Sequence, residues 1–189
     1  MKILIFDNYD SFTYNIYHSV RKLGYNDVDV YRNDKIKLDE IEKYDKIILS
    51  PGPGIPSESG LLPDVLKRFA SSKSILGICL GEQAIGECFG AKLLNLPDVY
   101  HGISSPVKIL RAEDPLFRDI PSETEVGRYH SWIVNRENFP DCLQITAEDG
   151  EGNIMALAHK EYDVRGVQFH PESVLTPLGD KMLDNWLKS

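Results

Sequence analysis

The chain is poor in cysteine, lacks any long apolar stretch and carries a deficit of positive charge. Its three cysteines (Cys79, Cys88 and Cys142) are odd in number and irregular in spacing. That argues against a disulfide framework and for a reducing, cytoplasmic setting. No run approaches the ~18–20 apolar residues of a membrane span. The opening Met1-Lys2-Ile3-Leu4-Ile5-Phe6-Asp7 turns acidic too soon for a signal peptide. Lys and Arg total 21 against 29 for Asp and Glu, a net charge of −8. This excludes a nucleic-acid binder, which needs a basic face, and an anionic membrane surface as the main partner. No Gly-x-x-x-x-Gly-Lys-Ser/Thr loop, Gly-x-Gly-x-x-Gly, Cys-x-x-Cys or His-Glu-x-x-His occurs, so neither a nucleotide fingerprint nor a metal site is indicated. Repeats and linkers are missing too, and the expectation is one domain over 1–189.

What is present is the balance of a globular protein, 42% hydrophobic and 26% charged. The first half alternates strand and helix patterns. Lys2–Phe6, Asp27–Tyr31, Lys46–Leu49 and Ser74–Ile78 read as strands. Phe12, Ile16, Val20 and Leu23 recur at helical spacing, with an N-cap at Asp10 or Ser11 and a stop at Gly24. Leu61–Phe69 and Glu82–Phe89 read as further helices. This rhythm predicts an open α/β fold, a parallel sheet flanked by helices. Pro106–Leu110, Glu125–Asn135, Leu143–Ala147, Ile154–His159 and Val164–Phe169 read as strands separated by turns, an antiparallel extension. A last helix is expected over Pro177–Leu187.

Three features carry chemistry. Gly77-Ile78-Cys79-Leu80-Gly81 lies between a buried strand and a helix. A nucleophile on such a turn needs small neighbours, and the helix N-terminus favours thiolate while offering backbone N–H groups to an oxyanion. On the pentapeptide alone, a small core cysteine fits equally well. A thiolate needs a base, and of five histidines His170 closes the apolar strand Val167-Gln168-Phe169, where open α/β sheets place ligands. Glu172, two residues on, can reach back to orient the imidazole. His18 and His159 read as structural. The third feature, Ser50-Pro51-Gly52-Pro53-Gly54, holds a stiff exposed backbone that can aim an N–H at an oxyanion or serve merely as a turn.

Together and in this order, these segments resemble the class I, or triad, glutamine amidotransferases, and more narrowly the small glutaminase subunits of anthranilate and aminodeoxychorismate synthases. The resemblance runs along essentially the whole chain. It opens with Phe6-Asp7-Asn8-Tyr9-Asp10-Ser11-Phe12-Thr13-Tyr14-Asn15, passes through the two glycine-rich segments and Arg128-Tyr129-His130-Ser131-Trp132, and closes with Gly166-Val167-Gln168-Phe169-His170-Pro171-Glu172-Ser173. It implies a flavodoxin-like open sheet and hydrolysis of L-glutamine to glutamate and ammonia. Cys79 is then the nucleophile, His170 the base and acid, and Glu172 its orienting partner. Gly52, Pro53, Gly54 and Leu80 surround the oxyanion, while Gln83, Ser131 and Trp132 hold the α-amino and α-carboxylate groups. The ammonia passes to a separate chorismate-binding synthase subunit, component I, with no cofactor in this chain and Mg²⁺ expected only in that partner.

Two positions depart from the family pattern. Glu82 stands where His or Met is common, which puts the local charge near the thiolate in question. Ile103 stands where Lys or Arg is frequent, on a loop that tends to face the partner. A Cys-His-Glu hydrolase of another class would need neither Gln83 nor Ser131-Trp132. A module that binds without turnover would not need an intact triad.

Overall fold

The computed structural model describes residues 1–189. Nine strands form one sheet. Five of them, β1 (Ile3–Asp7), β2 (Val28–Arg32), β3 (Lys46–Leu49), β4 (Ser74–Ile78) and β11 (Val164–Val167), run parallel. The other four, β6 (Ile103–Ile109), β7 (Glu123–Arg128), β9 (Leu143–Asp149) and β10 (Ile154–His159), extend it antiparallel. Across the sheet the order is β2-β1-β3-β4-β11-β10-β9-β6-β7. The expected architecture is therefore present.

Burial explains the parallel half. Ile3, Leu4, Ile5 and Phe6 of β1, and Ile47, Ile48 and Leu49 of β3, are wholly inaccessible to solvent, as strands covered on both faces must be. The covering helices are amphipathic. In α1 (Thr13–Lys22) Thr13, Ile16 and Val20 face inward. In α3 (Leu62–Phe69) Leu62, Val65, Leu66 and Phe69 follow the i, i+3, i+4, i+7 spacing of a core-facing stripe. Helix α4 (Leu80–Cys88) is buried along almost its whole length, and α5 (Gly179–Leu187) buries Met182, Leu183, Trp186 and Leu187. The short α2 (Leu38–Ile41) is not foreseen by the sequence pattern, since four residues leave no readable period.

Four expectations are corrected. The segment Glu125–Asn135 is not one strand: β7 ends at Arg128 and β8 (Trp132–Val134) pairs instead with β5 (Leu93–Asn95) in a separate two-stranded ribbon. The chain breaks there because the His130 and Ser131 carbonyls accept from Tyr100 and Leu96 outside the main sheet. Helix α1 starts at Thr13 with no side-chain cap at Ser11 or Asp10. Asp10 Oδ1 instead accepts the Phe12 N–H at 2.8 Å, closing a turn before the helix. Helix α4 begins at Leu80 rather than Glu82, with Cys79 as its N-cap residue. The last helix begins at Gly179, not Pro177, because Thr176 is held back: its hydroxyl donates to the His170 carbonyl at 2.6 Å and accepts the Gly127 N–H at 2.9 Å.

At the end of the sheet away from these loops, Lys46 is 5% exposed. Its ammonium donates to Ser74 Oγ (3.1 Å), the Trp186 carbonyl (2.9 Å) and Ser189 O (3.2 Å), and lies 4.7 Å from the Trp186 ring centre. All three donors are used, and the contacts tie β3 to the end of α5. Lys46→Met removes all three donated bonds, although the Trp186 carbonyl keeps Ser189 Oγ as a donor, so it is expected to destabilise the fold by about 1–3 kcal/mol, read from the midpoint of urea unfolding. A midpoint shift near zero would show that the α5 carbonyls rehydrate without loss.

Candidate active site

The C-terminal ends of β1, β3, β4 and β11 converge at one edge, the place where a parallel sheet presents residues to a ligand. Strand β4 delivers Cys79, whose φ of +52° and ψ of −102° are unusual for a residue with a side chain. Glycine makes that turn sterically possible. A Cβ on Gly77 would stand 2.4 Å from the Gly81 carbonyl carbon, and one on Gly81 would stand 2.5 Å from the Leu49 carbonyl oxygen. The Cys79 N–H donates to the Val167 carbonyl at 2.8 Å, fixing the elbow to β11.

Strand β11 supplies the next groups. Gln168 Nε2 lies 3.4 Å from Cys79 Sγ as a donor. His170 Nδ1 meets Glu172 Oε1 at 2.7 Å, both side chains being almost wholly buried. Burial alone would lower the His170 pKa. The Glu172 carboxylate and the Cys79 sulfur outweigh it and hold the imidazole well above its ordinary range. His170 Nε2 has no hydrogen-bond partner of its own. Phe12 and Tyr129 pack on the imidazole at centroid distances of 5.2 and 4.8 Å.

Beside Cys79 lies a cavity of about 240 Å³ lined by Gly52, Gly54, Cys79, Gln83, Tyr129, His130, Ser131 and Trp132. A second cavity, about 190 Å³, also reaches Gly52, Cys79 and Tyr129, and is walled by Asp10, Ser11, His101 and His170. Of the residues foreseen, Cys79, Gln83, Gly52, Gly54, Ser131 and Trp132 share the first cavity, and His170 with Glu172 stands behind the sulfur. Pro53 is exposed and lines neither cavity. Leu80 turns its side chain into the core, where it packs on the Gly52 loop.

Gln83 donates to the Trp132 carbonyl (2.9 Å) and to Gln168 Oε1 (3.0 Å), so one chain of hydrogen bonds runs from Trp132 to the sulfur. The Trp132 carbonyl also meets His130 Nδ1 at 3.1 Å, while His130 Nε2 accepts from Arg128 Nε at 3.2 Å. Burial and the neighbouring Arg128 guanidinium push the His130 pKa down to about 3, so this ring is neutral where His170 is charged. Arg128 is itself neutralised by Asp149 at 3.0 Å, with both side chains buried.

Sequence reasoning gives no role to Gln168, Tyr129 or Arg128. Gln168 carries one signal, a polar residue between two apolar neighbours at the end of a buried strand. The departure at Glu82 resolves as well. Its side chain is fully buried, both carboxylate oxygens lack partners, and burial raises its pKa far above the carboxylate range. Burial therefore favours its neutral form over a carboxylate. His159 is structural as expected, its Nδ1 accepting the Glu161 and Tyr162 N–H groups.

The His130 shift has a direct consequence. An unfolded histidine takes a proton near pH 6.5, whereas folded His130 does so only near pH 3. Between those values the unfolded state binds more protons, so this group's contribution to stability falls as pH drops through that window. The His130 imidazole proton shifts should stay flat from pH 8 to about 4.5 in an NMR titration. A midpoint near 6.5 would contradict the Arg128–His130–Trp132 arrangement.

Comparison with known proteins accords with this geometry. The family profile for glutamine amidotransferase class-I matches residues 4–189. Anthranilate synthase component 2 of Porphyra purpurea is 47% identical over 99% of both chains. Aminodeoxychorismate synthase component 2 of Escherichia coli K12 is 43% identical over 98% of both. Among solved structures, a Thermoplasma acidophilum protein provisionally assigned to GMP synthase superposes with a TM-score of 0.89 at 27% identity, covering 100% of this chain and 92% of that one. A profile spanning the chain and relatives this similar over their full length leave one assignment: the chain belongs to the class I glutamine amidotransferases.

Proposed function

We propose that the chain is a glutaminase subunit that hydrolyses L-glutamine and hands the ammonia to a chorismate-binding synthase subunit. The observation that carries the chemistry is the strained Cys79 elbow, set against the His170–Glu172 pair and opening into a cavity lined by Gln83, Ser131 and Trp132. The cavity is smaller than the ~300–1,000 Å³ that holds a drug-sized ligand, and its polar lining suits one amino acid.

The Cys79 thiolate attacks the side-chain amide carbon, forming the C–S bond and placing negative charge on the oxygen. Backbone N–H groups of Gly52, Gly54 and Leu80 stabilise that charge. The C–N bond then breaks, and His170 gives its proton to the departing nitrogen, releasing ammonia. Water, deprotonated by the now neutral His170, attacks the γ-glutamyl thioester; glutamate leaves and the Cys79–His170 ion pair returns. The raised His170 pKa supports a resting ion pair, in which the proton needed by the leaving group is already in place. Gln83, braced by Trp132 and Gln168, keeps its Oε1 without an intramolecular acceptor role and so free for the α-amino group. The Ser131–Trp132 backbone takes the α-carboxylate.

Relatives named for anthranilate and for aminodeoxychorismate synthesis support a chorismate-amidating partner, and we favour anthranilate synthesis, the tryptophan-pathway reaction. The glutaminase site serves either, because both need only ammonia. Binding by a partner at the shared sheet edge would place the product where it is consumed.

Cys79→Ala should abolish glutamine-dependent synthesis by the reconstituted complex while leaving ammonium-dependent synthesis intact; glutamine turnover above trace rates would sink the assignment. His170→Asn should cost nearly as much, with Glu172→Gln falling short of it by roughly 10–100-fold, and combined losses should be far from additive. The pH profile offers an independent check. His170 must be protonated when ammonia leaves, so kcat declines as pH rises through its raised pKa. Removing the Glu172 charge lowers that pKa, and the alkaline limb in Glu172→Gln should move to lower pH. An unmoved limb would separate Glu172 from the proton transfer.

A further inference from the structure

The segment Asp7-Asn8-Tyr9-Asp10-Ser11-Phe12 is part of the family resemblance, yet the reaction above uses none of its side chains. It lies where β1 leaves the sheet, beside β3, at the point where strand order turns from β2-β1 to β3-β4. Such switch points open crevices at the carboxyl ends of strands. Here the crevice between β1 and β3 is closed by hydrogen bonds. The Asn8 backbone N–H donates to Ser50 Oγ at 2.8 Å, and Asn8 Nδ2 donates to the Ser50 carbonyl at 2.9 Å. Ser50 Oγ donates to the Pro51 carbonyl at 2.7 Å. Asn33 Nδ2, from the end of β2, donates to Asn8 Oδ1 at 3.2 Å and fixes the amide's orientation. Asn8 is 2% exposed, Ser50 0% and Asn33 6%.

Asn8 itself is held from below. Asp7 Oδ1 accepts the Tyr9 and Asp10 N–H groups and the Thr13 hydroxyl, and Tyr9 adopts a φ of +63°. What the pair fixes is Gly52. A Cβ there would stand 2.7 Å from Asn8 Cβ, from the Asn8 carbonyl and from Leu80 Cδ2. Gly52 is thus clamped between the β1 end and the first residue of α4, and it lines both cavities that meet at Cys79.

We infer that Asn8 is a positioning residue for catalysis: through Ser50 it sets the backbone of the Gly52–Gly54 loop at the spot where the amide oxygen gains charge. The inference rests on the glutaminase reading above. It assigns Asn8 no contact with glutamine. Its effect is confined to the step in which the oxyanion forms, where a misplacement of about 1 Å costs on the order of 100-fold in rate.

Asn8→Ala is the informative variant, because it keeps the Cβ that contacts Gly52 and removes only the amide. Ser50→Ala is the second, milder variant, which deletes the acceptor of the Asn8 N–H. Glutamate release from glutamine and alkylation of Cys79 by iodoacetamide are measured on the same preparations of the full chain. Alkylation needs the thiolate but no oxyanion donor. The expected result is a kcat 10–100-fold lower in Asn8→Ala and lower by a smaller factor in Ser50→Ala, with KM for glutamine and the alkylation rate within about twofold of wild type. Unchanged kcat in both folded variants overturns the inference. So does a parallel fall of kcat and alkylation, which would mark a general loss of structure. A wild-type chain that alkylates normally yet releases no glutamate, alone or with a partner, overturns the glutaminase reading itself and is told apart by that control.

Discussion

The close approach of α4 to the sheet is the constraint on which the site depends. Gly77, Gly81 and Gly166 leave no Cβ in the crossing, and any of the three would drive an added atom to within 2.4–2.5 Å of its neighbour. The helix therefore starts immediately after β4, and Cys79 must take a left-handed φ to join the two. Such a conformation costs about 1–3 kcal/mol in isolation. It persists because the surrounding contacts over-determine it: the Cys79 N–H is bound to Val167, and Ile78, Leu80 and Ile85 are buried on either side. The same crossing gives Glu82 its dry environment, since its Cγ fills the space left by Gly166. A side chain on Gly166 would remove both features together.

Charge is rationed within the site. Arg128 meets Asp149, His170 meets Glu172, and burial disfavours a charge on Glu82. Two imidazoles in adjoining walls are thereby held in opposite states. His130 faces a guanidinium and is neutral, able to accept from Arg128 and to donate to Trp132. His170 faces a carboxylate and a sulfur and is positive. Low dielectric makes each pairing stronger and each unpaired charge more costly. Exchanging the two environments would exchange the roles, which is why neither histidine can be assigned from its residue type.

The sequence displayed those parts of the site that depend on local chain geometry. The glycine-flanked Cys79, the Pro-Gly loop and the His170-Pro171-Glu172 turn each need particular residues at adjacent positions, and all three lie at the expected edge. Strand-to-helix alternation and buried apolar runs likewise located the parallel half of the sheet. What stayed illegible depends on contacts between distant segments. Gln168 reaches Cys79 across 89 positions and Asn8 reaches Ser50 across 42, and no local pattern announces either. The break between β7 and β8 was hidden because Glu125–Asn135 alternates acceptably, while the carbonyls that end the strand are taken by Leu96 and Tyr100. Glu82 read as a possible charge because its burial is set by Gly166, on another strand.

The two halves of the sheet divide the work unequally. The parallel strands deliver Asn8, Ser50, Cys79 and His170 from four adjacent carboxyl ends, so their relative positions follow from backbone pairing in the most deeply buried part of the fold. The Ser131–Trp132 wall is attached differently. It belongs to a ribbon of two three-residue strands, β5 and β8, and Leu94 within that ribbon is 43% exposed. Paired strands this short are marginal without support. The support comes from the core, in which Ile133 and Val134 of β8 are buried, and from Gln83 and His130, which both bond the Trp132 carbonyl. Cys79 and His170 are therefore fixed by strands of the main sheet, whereas the Ser131–Trp132 wall is fixed by a side ribbon, which the core holds through Ile133 and Val134 and which Leu96, Gln83 and His130 hold by hydrogen bonds to the Ser131 and Trp132 carbonyls.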